Sequence, residues 1–309
     1  MMLVFPVSRG VQAICIAAAL IFAAWIWRRW HRGRVERLVS SRLTTGTHGI
    51  IPGAEAIALA KPGARMGVVL LHGFGDTPQT LASLAQKLSA DGMDVDVPLL
   101  PGHGRTLKEF ASSNGSEWLD AARAAHASMR ARHTRVALVG LSLGGALAAS
   151  VAADDPELAA LVLLAPYIDT PPLYRVLVRA APAISMVFPY VGGEAARSIL
   201  DPAARAEALA YGATTPQLVR ELVRLADAAR ASLGRIAAPT LYVQSREDNR
   251  ISEDVARRAF ALLGARTKKL EMLSGCGHVL TVDFCRERVA ALVREWLAGV
   301  EMANEKGTA

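Results

Sequence analysis

The chain has 309 residues, 52% of them hydrophobic and 20% charged, long enough for one large domain or two small ones and too apolar for a disordered chain. The net charge of +7 invites a nucleic-acid partner, but residues 1–45 carry seven arginines and one glutamate, and the rest of the chain is close to neutral. A basic domain surface for nucleic acid is therefore not expected.

The first element is a tail. From Val11 to Trp27 the run VQAICIAAALIFAAWIW is 17 residues without a formal charge, followed at once by RRWHRGRVER. That length reaches the lower end of the ~17 to 25 residues that span a bilayer, and Trp25, Trp27 and Trp30 suit its interface. A secretory signal would carry its positive charge before the apolar run and a small-residue cleavage site after it, the reverse of this order. Residues 1–45 are read as a single-pass membrane anchor, through residues 11–27, with a basic juxtamembrane segment. The arginines on the C-terminal flank, against Arg9 alone on the other, predict that residues 28 onward stay in the cytoplasm. Cys15 lies in the apolar run, and Cys276 and Cys285 are too few for a disulfide framework, which agrees with that side.

From residue 46 to 309 one catalytic domain is expected. Short apolar runs at Gly67–Leu71, Val95–Val97, Val136–Val139, Leu161–Leu164, Leu241–Gln244 and Lys269–Met272 alternate with helical stretches. One helix begins near Thr77-Pro78, with Leu81, Leu84 and Leu88 on one face; a second, behind Ser116, carries Trp118, Ala122, Ala125 and Met129. Strands that are apolar throughout and separated by helices imply an α/β fold, a mostly parallel sheet covered on both faces. The interval of about 166–238 is too long for a simple crossover and reads as a helical cap or lid. Its last helix has Thr215 as N-cap, Pro216 at the first helical position, Gly234 as C-cap and an apolar stripe of Leu218, Leu222, Leu225 and Ala229.

The chemistry centres on GLSLGG, residues 140–145, between a predicted strand and a small-residue helix. A serine at the tip of such a turn stands above the sheet, glycines at 140 and 144 relieve the crowding, and the first amides of the helix, Leu143 included, face developing negative charge. A second donor is expected from HGFG, residues 72–75, with Phe74 N–H the candidate. Downstream, SREDN offers Glu247 or Asp248 at a strand end, and SGCGH places His278 in a loop before the last helix. Nucleophile, acid and base thus follow in the chain order of one known architecture, each at the C-terminal end of a strand.

Together LLHGFGD, PLLPGHG, GLSLGG, APTLYVQSREDNRIS and SGCGHVLTVD resemble the α/β-hydrolase superfamily, most of all its small carboxylesterases and monoacylglycerol-lipase-like, serine-aminopeptidase-type members, over about residues 66–298. The resemblance implies an α/β-hydrolase fold, Ser142 as nucleophile, Asp248 rather than Glu247 as acid, His278 as base, and Phe74 and Leu143 amides as oxyanion hole. The usual S-G-H reads S-G-C-G-H here. The implied activity is acyl-ester hydrolysis on a small-molecule or lipid ester, without metal or cofactor. Thioesterase or peptidase variants, and a silent membrane-tethered binding module, are the alternatives. Of the remaining candidates, His103 shapes its loop, His72 holds the oxyanion loop, His126 and His133 are solvated, and Cys276 is a small packed residue.

Overall fold

The computed structural model describes residues 9–170, 172–192 and 197–307. In chain order the strands are β1 (Ile57–Leu59), β2 (Gly67–Leu71), β3 (Asp94–Val97), β4 (Val136–Leu141), β5 (Ala160–Leu164), β6 (Val191–Gly192), β7 (Ala213–Thr214), β8 (Thr240–Ser245) and β9 (Lys268–Leu273). The helices are α1 (Arg9–Ser40), α2 (Ala82–Ala90), α3 (Leu107–Ser112), α4 (Gly115–Arg132), α5 (Leu143–Ala152), α6 (Pro172–Arg179), α7 (Ala181–Val187), α8 (Pro202–Glu207), α9 (Pro216–Ser232), α10 (Glu253–Leu262) and α11 (Arg286–Gly307).

Seven strands form one sheet in the order β1-β3-β2-β4-β5-β8-β9, and β6 pairs with β7 apart from it. Every neighbouring pair in the large sheet is parallel except the edge strand β1, which runs against β3. The cause is the unbroken apolar character of the central strands. Side chains alternate sides along a strand, so Val69, Leu71 and Leu138 join one buried cluster while Val68, Leu70 and Val139 join the other. Trp118, Ala122 and Met129 of α4, with α5 and α9, cover the first face. Leu84 and Leu88 of α2, with Val289, Val293 and Leu297 of α11, cover the second. This is the fold the sequence predicts.

Two local boundaries differ. The cap of α4 is Asn114, whose side chain accepts from Glu117 N at 3.0 Å, so the helix starts ahead of Ser116. Gly234 does not cap α9; Leu233 takes that position and Gly234 lies inside a following 3-10 turn, Leu233–Arg235. The Thr215 cap is as expected, with its hydroxyl accepting from Leu218 N at 3.0 Å. Because α9 packs on α5 and α4, it belongs to the layer covering the sheet. The excursion proper is the stretch before it, with α6, α7, α8 and the β6–β7 pair.

At the other end, α1 is long and apolar enough to cross a membrane, with a mean hydropathy of 2.0 over its best 18-residue window, none of it buried. One reading needs correction: Cys276 is not merely a small packed residue but is disulfide-bonded to Cys285, with Cα atoms 5.7 Å apart. The intervening loop folds back because Asp283 accepts the Gly277 amide at 2.8 Å, and this brings the two cysteines together.

Candidate active site

Between the end of β4 and the start of α5, Ser142 adopts φ 54° and ψ −114°, a conformation that side-chain-bearing residues seldom hold. It is held by neighbours: Ser142 N donates to Leu164 O at 3.0 Å, and Ser142 O accepts from Tyr167 N at 2.9 Å and Gly145 N at 3.0 Å. A Cβ at Gly140 would lie 2.2 Å from Gly144 O, and one at Gly144 only 2.0 Å from Leu71 O. The two glycines are therefore demanded by backbone crossing backbone, since β2 and β4 are adjacent where the helix departs.

The ends of β8 and β9 supply the partners. His278 Nε2 lies 2.8 Å from Ser142 Oγ, and His278 Nδ1 lies 2.7 Å from Asp248 Oδ2. A carboxylate only accepts, so Nδ1 carries the proton and Nε2 is free to accept one from the serine. The remaining lone pairs of Asp248 are also used: Gln244 Nε2 donates to Oδ2 at 2.7 Å, and the amides of Arg250 and Ile251 donate to Oδ1 at 2.7 and 2.9 Å. Burial pushes the Asp248 carboxyl up, but the charge and hydrogen bond of His278 and the two amides outweigh it and hold the group below its ordinary value. Glu247 points elsewhere. Its Oε2 accepts from Ser245 Oγ and Gly275 N, both at 3.1 Å, and so ties the acid loop to the histidine loop. Ser142 and His278 are nearly closed to solvent, at 9% and 6% exposure.

The loop after β2 borders the serine, since a Cβ on Gly73 would sit 3.5 Å from Ser142 Cβ. In the described turns and loops, the Phe74 and Leu143 amides donate to no protein carbonyl. His72 holds this loop as expected: its Nδ1–H donates to Gly73 O at 3.0 Å, and its Nε2 accepts from Leu100 N at 3.1 Å. Both contacts need a neutral ring, and burial pushes its pKa down to about 4 against the Gly73 bond. His103 likewise bonds within its own loop, to Pro101 O at 3.1 Å. His126 and His133 are not solvated: each faces a carboxylate, Asp155 at 2.9 Å and Asp94 at 2.6 Å, because α4 packs against β2, β4 and α5.

Two contributors escaped the sequence reading. Gln244 interrupts an apolar strand, and a polar residue in such a run is itself the signal that could have flagged it. Asp283, fully buried, accepts four amides: Gly277 and Leu200 on Oδ2 at 2.8 and 2.7 Å, Asp201 and Phe284 on Oδ1 at 2.9 and 2.8 Å. His278 N in turn donates to Ser198 O at 2.8 Å. The histidine loop is thus sewn to the returning arm of the excursion, a long-range contact with no local sequence signature. Among the described residues, no cluster of three or more His, Cys, Asp or Glu is disposed to hold a metal.

Such an arrangement can deprotonate a hydroxyl. Comparison with known proteins gives the family. The model of the serine aminopeptidase S33 family matches residues 62–284. The chain is 25% identical over 233 residues to the thermostable monoacylglycerol lipase of Bacillus sp. (strain H-257), covering 75% of this chain and 90% of that one. It is 24% identical over 237 residues to a carboxylesterase of Bacillus subtilis (strain 168), covering 76% and 93%. Among solved structures, that of the metagenome-derived lipolytic enzymes LipS and LipT superposes with a TM-score of 0.73 at 29% identity, over 81% of this chain and 99% of that one.

Proposed function

Because the chain belongs to the serine aminopeptidase S33 family of α/β-hydrolases, we propose that it is a membrane-anchored serine esterase that cleaves carboxylic acyl esters, monoacylglycerol-like lipids among them. The observation that carries the reading is the continuous hydrogen-bonded chain Ser142–His278–Asp248 at the ends of β4, β9 and β8. In the proposed reaction His278 Nε2 takes the Ser142 proton as Oγ attacks the ester carbonyl, and Asp248 stabilises the imidazolium. The oxyanion is met by the amides of Phe74 and Leu143, which in the described turns and loops donate to no backbone carbonyl. His278 then returns its proton to the departing alkoxide, leaving an acyl-serine. Water, deprotonated by the same imidazole, attacks that ester; the carboxylic acid leaves and the serine is restored.

The names of the relatives, a monoacylglycerol lipase and a carboxylesterase, favour esters over thioesters and amides. An intact acid–base–nucleophile chain, which a binding role does not require, weighs against a silent module. The domain is taken as residues 46–309, with residues 11–27 of α1 as the span. Seven arginines in the first 45 residues, six of them after the apolar run, favour a cytoplasmic domain, whereas the Cys276–Cys285 bond is of a kind that persists in oxidising compartments. The charge asymmetry is the basis for the side proposed here, and a C-terminal reporter active only in the cytoplasm tests it; an exported reporter working there instead overturns it.

The activity is tested with Ser142→Ala. Wild type is expected to be labelled by a fluorophosphonate and to hydrolyse a chain-length series of p-nitrophenyl esters and monoacylglycerols. The variant loses both, by about 10⁶-fold in kcat. Labelling that survives in the variant means that another residue is the nucleophile.

A further inference from the structure

The anchor helix does not simply leave the domain, for its basic half is docked on the cap. Trp27 and His31 meet the Phe188 ring edge-on at centroid distances of 6.3 and 5.8 Å, and Arg28 donates to Ser185 O. Further along, Glu36 accepts from the Tyr190 hydroxyl at 2.8 Å, and Val39 and Leu43 are buried in the domain's own core cluster. These contacts fix a height. Trp27 closes the uncharged run, and at ~1.5 Å per residue Glu36 stands about 13 Å farther from the hydrocarbon. Phe188, touching Trp27, therefore lies where the apolar run ends, at the level of the membrane–water interface.

The surface around that point is unlike the rest of the domain. Met186, Val187 and Phe188, consecutive in the chain, are three of the eight exposed large hydrophobic residues found after residue 45 among the described residues. Met186, at 70%, is the most exposed of the eight. Arg28, Arg29, Arg32 and Arg34 follow Trp27 on the adjoining helix, and one of their neighbours, Glu36, is already bonded to Tyr190. An apolar tip beside a cluster of arginines is the composition of an interfacial segment on an anionic membrane.

We propose that the α7 end of the cap, Met186–Phe188, together with Arg28–Arg34 of α1, is a docking surface for an anionic bilayer. The apolar side chains sit among the lipid headgroups, the arginines meet lipid phosphates, and the Trp27–Phe188 and Glu36–Tyr190 contacts hold the cap at that depth. The returning arm of the same cap, at Ser198, contacts the histidine loop, so the surface facing the membrane is joined to the wall of the site. The inference rests on reading residues 11–27 as a span.

The test uses the full chain carrying Cys15→Ser, in nanodiscs of phosphatidylcholine with phosphatidylglycerol, with a bimane label on Met186→Cys or, as a distant control, on Leu262→Cys. Lipids brominated near the headgroup end of the acyl chain are expected to quench the label at 186 and leave the label at 262 bright. Equal brightness at both positions overturns the proposal, as does cross-linking of position 186 between two copies of the chain. Paired Met186→Asp and Val187→Asp changes should lower hydrolysis of a bilayer-embedded monoester, relative to a water-soluble p-nitrophenyl ester, on the order of tenfold; an unchanged ratio counts against it. A chain released from membranes by carbonate fails the anchor reading, and one inactive on every ester fails the esterase reading; a chain retained and active but unquenched at 186 fails this proposal alone.

Discussion

Replacing Asp248 by Asn changes one oxygen to an amide nitrogen, and the surroundings dictate which. Oδ1 accepts the Arg250 and Ile251 amides at 2.7 and 2.9 Å, fixed backbone donors that cannot turn away. The asparagine oxygen must stay there, so its NH₂ takes the place of Oδ2, where it confronts Gln244 Nε2–H and His278 Nδ1–H. Two donors facing one another are relieved if His278 moves its proton to Nε2 and accepts on Nδ1. That tautomer presents N–H to Ser142 Oγ and cannot take its proton. Loss of the correct tautomer together with the counter-charge predicts a fall in kcat of about 10⁴, or ~5 kcal/mol in the transition state. Glu247→Gln removes only a brace to Gly275 and Ser245 and should stay within about tenfold of wild type. The assay is steady-state hydrolysis of a p-nitrophenyl ester, with circular dichroism to confirm that both variants fold. An Asp248→Asn enzyme within tenfold of wild type, or a Glu247→Gln enzyme as crippled as expected for Asp248, would refute the reasoning.

The other predictions concern the frame around the site. Gly144→Ala drives a methyl to 2.0 Å from Leu71 O, and should cost about 1–3 kcal/mol in thermal unfolding and on the order of 10² in kcat, because elbow and oxyanion loop are pushed apart together; a variant with wild-type kcat would mean that the elbow is not held tightly. Burial pushes the Asp76 carboxyl up to about 6 from 3.8, opposed by the Thr77 amide, Thr80 and the charge of His278. The folded state therefore keeps a proton that the unfolded chain loses, and this contribution to stability, complete below the unfolded pKa, is lost as pH rises to about 6. Asp76→Asn removes the effect, so it should gain roughly 3 kcal/mol on wild type in urea unfolding between about pH 4 and 6, and parallel curves would contradict it. In Asp283→Asn an NH₂ must face two of the four amide donors, so stability should fall by about 1–3 kcal/mol. If Asp283 positions His278, kcat falls with little change in KM and the acid limb of the pH–rate profile moves; an unchanged profile in the folded fraction makes its role purely structural.

The sequence by itself determined the sheet, since strands that are apolar on both faces have no stable place except between two helical layers, and it determined the order of the candidate groups. GLSLGG, SREDN and SGCGH are local patterns, and local patterns are legible. It left Glu247 and Asp248 open on residue type, because two neighbouring carboxylates on one loop differ only in where the folded chain aims them. The tertiary structure put Asp248 against His278 and Glu247 against Gly275. It also decided everything that depends on contacts between distant segments: why Gly144 must lack a side chain beneath Leu71, and the pairing of His126 and His133 with carboxylates that periodicity on a helix had left in solvent. Cys276 and Cys285 met because Asp283 turned their loop, and Asp283 acted through backbone amides that carry no residue-type signal. The uncharged run of the tail was plain in the sequence, but its docking on Phe188 and Tyr190, more than 150 residues away, was a property of the fold alone.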